Sequence, residues 1–136
     1  MTKRAKKSSP ARSFPERALV SVVDDDESVR ESLPDLLREL GFAAQAFASA
    51  DEFLMSECVL ATRCLILDIA MPGMSGPALQ HELTARGHPT KIIFITARGD
   101  EVVRGQLISR GAVDCLFKPF SSQELKAALD AALPRS

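Results

Sequence analysis

Four groups of residues in this 136-residue chain have the right types for chemistry at phosphorus. Asp24-Asp25-Asp26 is a run of three carboxylates, Asp68 stands alone after the apolar tetrapeptide Cys64-Leu-Ile-Leu67, Thr96 closes Ile92-Ile-Phe-Ile95, and Lys118-Pro119 follows Cys115-Leu-Phe117. Two carboxylates about 4 Å apart repel by roughly 4 kcal/mol at an effective dielectric near 20, so three gathered in one place call for a cation. A donor set made only of oxygens suits Mg²⁺ or Mn²⁺ rather than zinc, and a small octahedral ion keeps waters that a phosphoryl oxygen can displace. A carboxylate is also a competent nucleophile toward phosphorus, giving an acyl phosphate if the charge spreading over the equatorial oxygens is neutralised. Asp68 is the best placed acceptor, because Asp24 and Asp25 are adjacent and better suited to gripping the metal. Lys118 would pair with one phosphoryl oxygen and the Thr96 hydroxyl would donate to another.

These residues form a site only if a fold gathers them, and the pattern from residue 18 onward supplies one. Residues 18–23 make a near-continuous apolar run, too short for a helix and suited to a strand buried on both faces. Residues 28–40 carry Val29, Leu33, Leu36, Leu37 and Leu40 at helical spacing, with Gly41 as the stop. Pro34 falls inside this segment, where it removes the bond to the Arg30 carbonyl, so a single kinked helix is predicted. A strand over 43–47 follows, then a capping box at Ser49-Ala-Asp-Glu52. Residues 64–67 form the third strand, 71–77 a loop rich in Gly and Pro, and Pro77 suits the first turn of a helix closed by Arg86-Gly87. Residues 91–96 and 114–117 complete the strands. Asp100 caps a helix ending at Gly111, and Ser121-Ser-Gln-Glu124 is a second capping box opening a helix stopped by Pro134. Five alternating strand and helix units predict an α/β fold, a parallel sheet covered by helices on both faces. The crevice of such a sheet lies beyond the carboxyl ends of its strands, where every one of the four groups falls. With the first, third and fifth strands running through the middle, three carboxylates, a hydroxyl and an ammonium would converge on one patch.

Composition narrows the alternatives. With 46% hydrophobic and 26% charged residues the chain reads as one globular domain, long enough to bury a core without metal or disulfide staples. Cys58, Cys64 and Cys115 are odd in number and lack a C-x-x-C spacing, so they read as reduced thiols of a cytoplasmic protein. No apolar run approaches the ~18 residues of a membrane span. Residues 1–17 carry a balance of +5 and the remainder −6. The first segment has too little apolar surface to offset its ordering entropy, so a disordered basic tail over 1–17 and a folded domain over 18–136 are expected. Such a tail attracts any polyanion without selecting one. The folded part, acidic and without Tyr or Trp, is a poor nucleic-acid binder.

Val22-Val-Asp-Asp25, Leu67-Asp-Ile-Ala-Met-Pro-Gly-Met-Ser-Gly76, Ile95-Thr-Ala97 and Gly111-Ala-Val-Asp-Cys-Leu-Phe-Lys-Pro-Phe120 resemble the receiver domain of bacterial two-component response regulators, over about residues 18–133. Within that family the chain is most similar to receivers heading regulators of the nitrogen-fixation type. The resemblance implies a flavodoxin-like, doubly wound (βα)5 fold with strand order 2-1-3-4-5. It implies Asp68 as phosphoacceptor, with Asp25 and Asp68 as direct Mg²⁺ ligands, Asp24 acting mainly through water and the Ala70 carbonyl as a further ligand. It also implies a cis peptide before Pro119, Lys118 on the phosphoryl group, and Thr96 as the residue that moves to report it. The implied partners are a sensor histidine kinase or phosphotransfer protein, an output protein reached through the fourth helix, fifth strand and fifth helix, and a second copy of the chain on phosphorylation. At the family's aromatic switch position stands Cys115, so signalling should depend less on a rotating ring. Nothing follows the last helix but Pro134-Arg-Ser136, so no DNA-binding output domain is expected in this chain. The competing readings are the regulatory part of a helix-turn-helix transcriptional regulator and a metal-dependent phosphatase. The latter is disfavoured by Ala70, which stands where such an enzyme places its acid. Nucleotide binding lacks a Gly-rich loop after the first strand.

Overall fold

The computed structural model describes residues 17–88 and 90–134. In chain order these form β1 (Leu19–Val23), α1 (Glu27–Glu39), β2 (Ala43–Phe47), α2 (Ala50–Leu54), β3 (Thr62–Asp68), α3 (Gly76–Ala85), β4 (Lys91–Thr96), α4 (Glu101–Ser109), β5 (Asp114–Phe117) and α5 (Ser122–Ala132). The strands make one sheet in the order β2-β1-β3-β4-β5, every neighbouring pair parallel. This is the doubly wound, flavodoxin-like arrangement, with the chain reversing its direction of winding between β1 and β3. β5 is an edge strand, so the expected placement of the fifth strand in the middle is corrected. The basic tail, Arg17 apart, lies outside the described residues.

Alternate residues of each strand feed different faces, as the two-residue period of a strand requires. Val20, Val22, Cys64, Ile66, Ile93 and Ile95 pack with Leu33 and Leu37 of α1 and Leu125 and Leu129 of α5. Val23, Leu65, Leu67, Phe94 and Cys115 pack with Phe53 of α2, Leu79 and Leu83 of α3 and Leu107 of α4. Each such side chain withdrawn from water contributes roughly 1.5–3 kcal/mol. Among the polar residues of this core, Ser21 on β1 is fully buried and its hydroxyl is 2.7 Å from that of Thr62 on β3, which satisfies both.

Local signals account for the helix ends. Asp26 caps α1 by accepting from the Ser28 amide, so the helix opens one residue earlier than the spacing predicts, and it continues as one helix through the buried Pro34. The box at Ser121 forms in full, with Glu124 N donating to Ser121 Oγ at 3.0 Å and Ser121 N to Glu124 Oε1 at 2.9 Å. The box at Ser49 is altered: Ser49 Oγ accepts from Glu52 N, but Glu52 Oε1 accepts from the Ala48 amide. Gly41 and Gly111 follow α1 and α4 at φ of 100° and 109°, a region closed to most side chains, and so turn the chain into the next strand. The three cysteines are free thiols. Cys64 and Cys115 are buried and Cys58 half-buried, and burial pushes the Cys64 thiol up to about 12, which leaves it inert.

Candidate acidic phosphoryl site

β1 and β3 are neighbours, with Val23 opposite Leu67, so the residues that follow, Asp24 and Asp68, leave the sheet side by side. Asp24 is fully buried. Its amide donates to the Phe47 carbonyl at 3.1 Å and its carbonyl accepts from Arg30 Nη1 at 3.0 Å, which fixes the turn into α1 from both sides. Asp25 is exposed at the rim, and Asp68 is the last residue of β3 rather than the first residue beyond it. One carboxylate oxygen from each of Asp24, Asp25 and Asp68 lies within 4.8 Å of the others. At that separation each pair of charges repels by roughly 3 kcal/mol at an effective dielectric near 20.

Lys118 offsets part of this repulsion. β5 delivers it from the sheet edge, its amide donates to the Thr96 carbonyl at 2.8 Å, and its peptide to Pro119 is cis. Nζ donates to Asp24 Oδ2 at 2.8 Å and stands 3.9 Å from Asp68 Oδ1. Asp24 Oδ1 accepts from the Asp26 amide at 2.9 Å, so both Asp24 oxygens are engaged. The lysine thus grips the buried aspartate first and reaches the central one second. Burial works against the Lys118 charge, but the bond to Asp24 and the nearby carboxylates outweigh it and raise its pKa. Asp68 moves most: burial, then the Asp24 charge, push it up to about 7, with Lys118 opposing and Asp25 adding a little.

Three carboxylates against one ammonium leave two negative charges unmatched, and every donor is a hard oxygen. These residues fit a small divalent ion such as Mg²⁺. Beside them is an open cavity of about 510 Å³ lined in part by Asp68, Ala70, Thr96, Arg98, Cys115 and Lys118. Asp24, Asp25, Asp68, Ala70, Thr96, Cys115 and Lys118 therefore meet at one rim. Thr96 is buried at the end of β4, with its Oγ1 accepting from the Arg98 amide at 3.0 Å.

Some of what shapes the site has no signature in the sequence. Gly76 at the start of α3 lies so near β3 that a Cβ there would overlap the Asp68 carbonyl oxygen and come within 3.0 Å of the Phe94 ring. The glycine of Met-Ser-Gly-Pro reads simply as a loop residue until the packing of α3 is known. Arg30 likewise reads as one charge among many on α1. Its partner is a backbone atom, which residue type cannot foretell.

The sequence matches the family described as the response regulator receiver domain over residues 20–130. It is 45% identical over 119 residues to nodulation protein W of Bradyrhizobium diazoefficiens, covering 88% of this chain and 52% of that protein. It is 42% identical over 123 residues to the transcriptional regulatory protein FixJ of Azorhizobium caulinodans, covering 90% and 58%. The chain spans about half the length of the curated relatives it matches. Among solved structures, the response regulator StyR superposes with a TM-score of 0.77 at 45% identity, over 85% of this chain and 58% of that one. FixJ-N does so with 0.75 at 34%, over 88% and 94%. With the acidic cluster in place at the carboxyl edge of a 2-1-3-4-5 sheet, these matches establish that the chain belongs to the response regulator receiver domain family.

Proposed function

We propose that this protein is a phosphorylation-activated switch whose Asp68 takes a phosphoryl group from a phosphohistidine on a sensor histidine kinase or phosphotransfer protein. In the transfer an Asp68 carboxylate oxygen forms a bond to phosphorus as the P–N bond breaks, and the electron pair of that bond returns to the imidazole nitrogen of the donor. The product is an acyl phosphate. Asp24, Asp25 and Asp68, with the Ala70 carbonyl, would hold Mg²⁺ or Mn²⁺, which supplies Lewis-acid stabilisation of the charge on the transferring group. Lys118, already between Asp24 and Asp68, adds an ammonium toward the same charge. Thr96, buried at the cavity wall with a hydroxyl hydrogen free to donate, senses the new phosphoryl oxygen, and the signal leaves through the face formed by α4, β5 and α5. Cys115 stands on that path in the place of a ring.

The observation that carries this reading is the convergence of three carboxylates within 4.8 Å beside an ammonium and an open cavity. Intact mass after incubation with acetyl phosphate and Mg²⁺ tests it: wild type gains one phosphoryl mass and Asp68→Ala gains none. Equal gain in both would refute the assignment. A second reading, that the chain is the regulatory part of a longer transcriptional regulator, is favoured by its spanning 58% of a relative so named. The length of the parent gene decides between a stand-alone switch and that arrangement.

A further inference from the structure

α4 is the helix least anchored by apolar burial. It buries Leu107, whereas α1 and α3 bury three residues each, α2 two and α5 four. Val102 in its first turn is 70% exposed, and Gly105 sits in its interior, where glycine costs about 1 kcal/mol relative to alanine. Beneath the first turn, Val103 and Cys115 pack into the apolar cluster that holds Leu107 and also border the cavity of about 510 Å³. A further group adds to the hold of the sheet on this end of the helix.

Arg104 does so. Its Nη2 donates to Asp114 Oδ1 at 2.8 Å and its Nε to the Cys115 carbonyl at 3.1 Å, both on β5, while Nη1 lies 3.5 Å from Glu101 on its own helix. The flat guanidinium fork reaches two β5 acceptors at once, a geometry that lysine cannot reproduce. The same end of the helix is tied to the acidic site. Thr96 Oγ1 accepts from the Arg98 amide, and Asp100, two residues on, caps α4 through the amides of Val102 and Val103. A shift of Thr96 is therefore passed along a short, bonded loop to the start of α4.

We propose that Arg104 is a latch that holds α4 on β5 across the cavity, and that phosphorylation of Asp68, acting through Thr96 and the Arg98–Asp100 loop, draws α4 away and releases Asp114 and the Cys115 carbonyl. The second half of this proposal rests on the phosphoacceptor reading. The first half does not.

Amide hydrogen exchange of the full chain, followed peptide by peptide with intact mass as a parallel record of phosphoryl uptake, tests both halves. In the unphosphorylated protein, Arg104→Ala is expected to speed exchange across Glu101–Ser109 by roughly five- to tenfold while α5 is unchanged, the size of one charged bond between partly exposed groups. Asp114→Asn, with a smaller loss of volume, speeds it less, and Arg104→Lys does not restore the wild-type rate. Raising NaCl from 0.1 to 1 M speeds α4 exchange in wild type and leaves Arg104→Ala unmoved, because the screening length falls from about 10 to 3 Å. Acetyl phosphate then brings wild-type α4 to the rate of Arg104→Ala. Wild-type exchange rates in both unphosphorylated variants would overturn the latch outright. A phosphoryl mass gain without faster α4 exchange would overturn the release while leaving the phosphoacceptor reading intact. Absence of any mass gain would remove that reading and the release with it, with the latch still judged by the unphosphorylated variants.

Discussion

Replacing Asp68 with Asn is expected to make the protein more stable while abolishing phosphoryl uptake. Burial and the Asp24 charge hold the Asp68 carboxyl at about 7 against an ordinary 3.8, a gap worth roughly 4 kcal/mol at about 1.4 kcal/mol per pH unit. Asp25 beside it is exposed and water reaches the cavity mouth, and this screening leaves about 2 kcal/mol. Between about pH 4 and 7 the unfolded chain has lost this proton while the native protein keeps it, so rising pH favours the unfolded state. The deficit is complete above about pH 7 and absent below about pH 4. Asn carries no charge at any of these pH values. In thermal unfolding at pH 8 without divalent ions, Asp68→Asn therefore melts roughly 6–10 °C above wild type, and the difference closes as the pH falls toward 4. Millimolar Mg²⁺ narrows it at pH 8 by stabilising the wild type through mass action. A variant melting at or below wild type at pH 8, or a gain identical at pH 4.5 and 8, would refute the crowding argument.

Removing the counter-charge has the opposite effect: Lys118→Met strands the buried Asp24 carboxylate and is expected to cost about 3–5 kcal/mol in urea unfolding, with Asp68 pushed higher still in a carboxyl titration by NMR. Gly76→Ala drives a methyl into the Asp68 carbonyl and is expected to destabilise by about 1–3 kcal/mol and to slow phosphoryl uptake as β3 shifts. Cys115→Tyr is expected to change the melting temperature by only a few degrees, because the ring enters the cavity instead of displacing core atoms; a loss above about 3 kcal/mol would show that the space is not available to it. Ala70 and Arg98 flank the cavity without a carboxylate to position an attacking water, so the phosphorylated form is expected to last well beyond seconds, and Ala70→Glu to shorten its life, as followed by intact mass.

The strands and helices were legible because burial on both faces produces unbroken apolar runs, and because caps such as Ser121 and Asp100 act within three residues of themselves. The strand order was legible only through the family resemblance. Local patterns do not say which strands are neighbours, and the placement of the fifth strand in the middle, read from residues alone, met an edge strand instead. The site residues could be found because each falls at a strand's carboxyl end. Their pairing could not. That Lys118 bonds Asp24 at 2.8 Å and only approaches Asp68 at 3.9 Å depends on how the chain leaves β5 beside β4, which no local pattern encodes. Arg104 looks in the sequence like any charge on a solvated helix face, since its two sheet partners lie ten and eleven residues away across a turn.

The alternation of strand residues between two apolar clusters divides the labour of the molecule. α1 and α5 rest on one cluster, while α2, α3 and α4, together with Cys115, Ile69 and Val103, belong to the other. The support of α1 and the support of α4 are consequently seated on opposite sides of the sheet. Enlarging or trimming Leu37 of α1 resets how hard the protein is to unfold without touching α4, whereas the same change at Leu107 alters how firmly α4 itself is seated. An engineer could reach either helix separately by choosing the side.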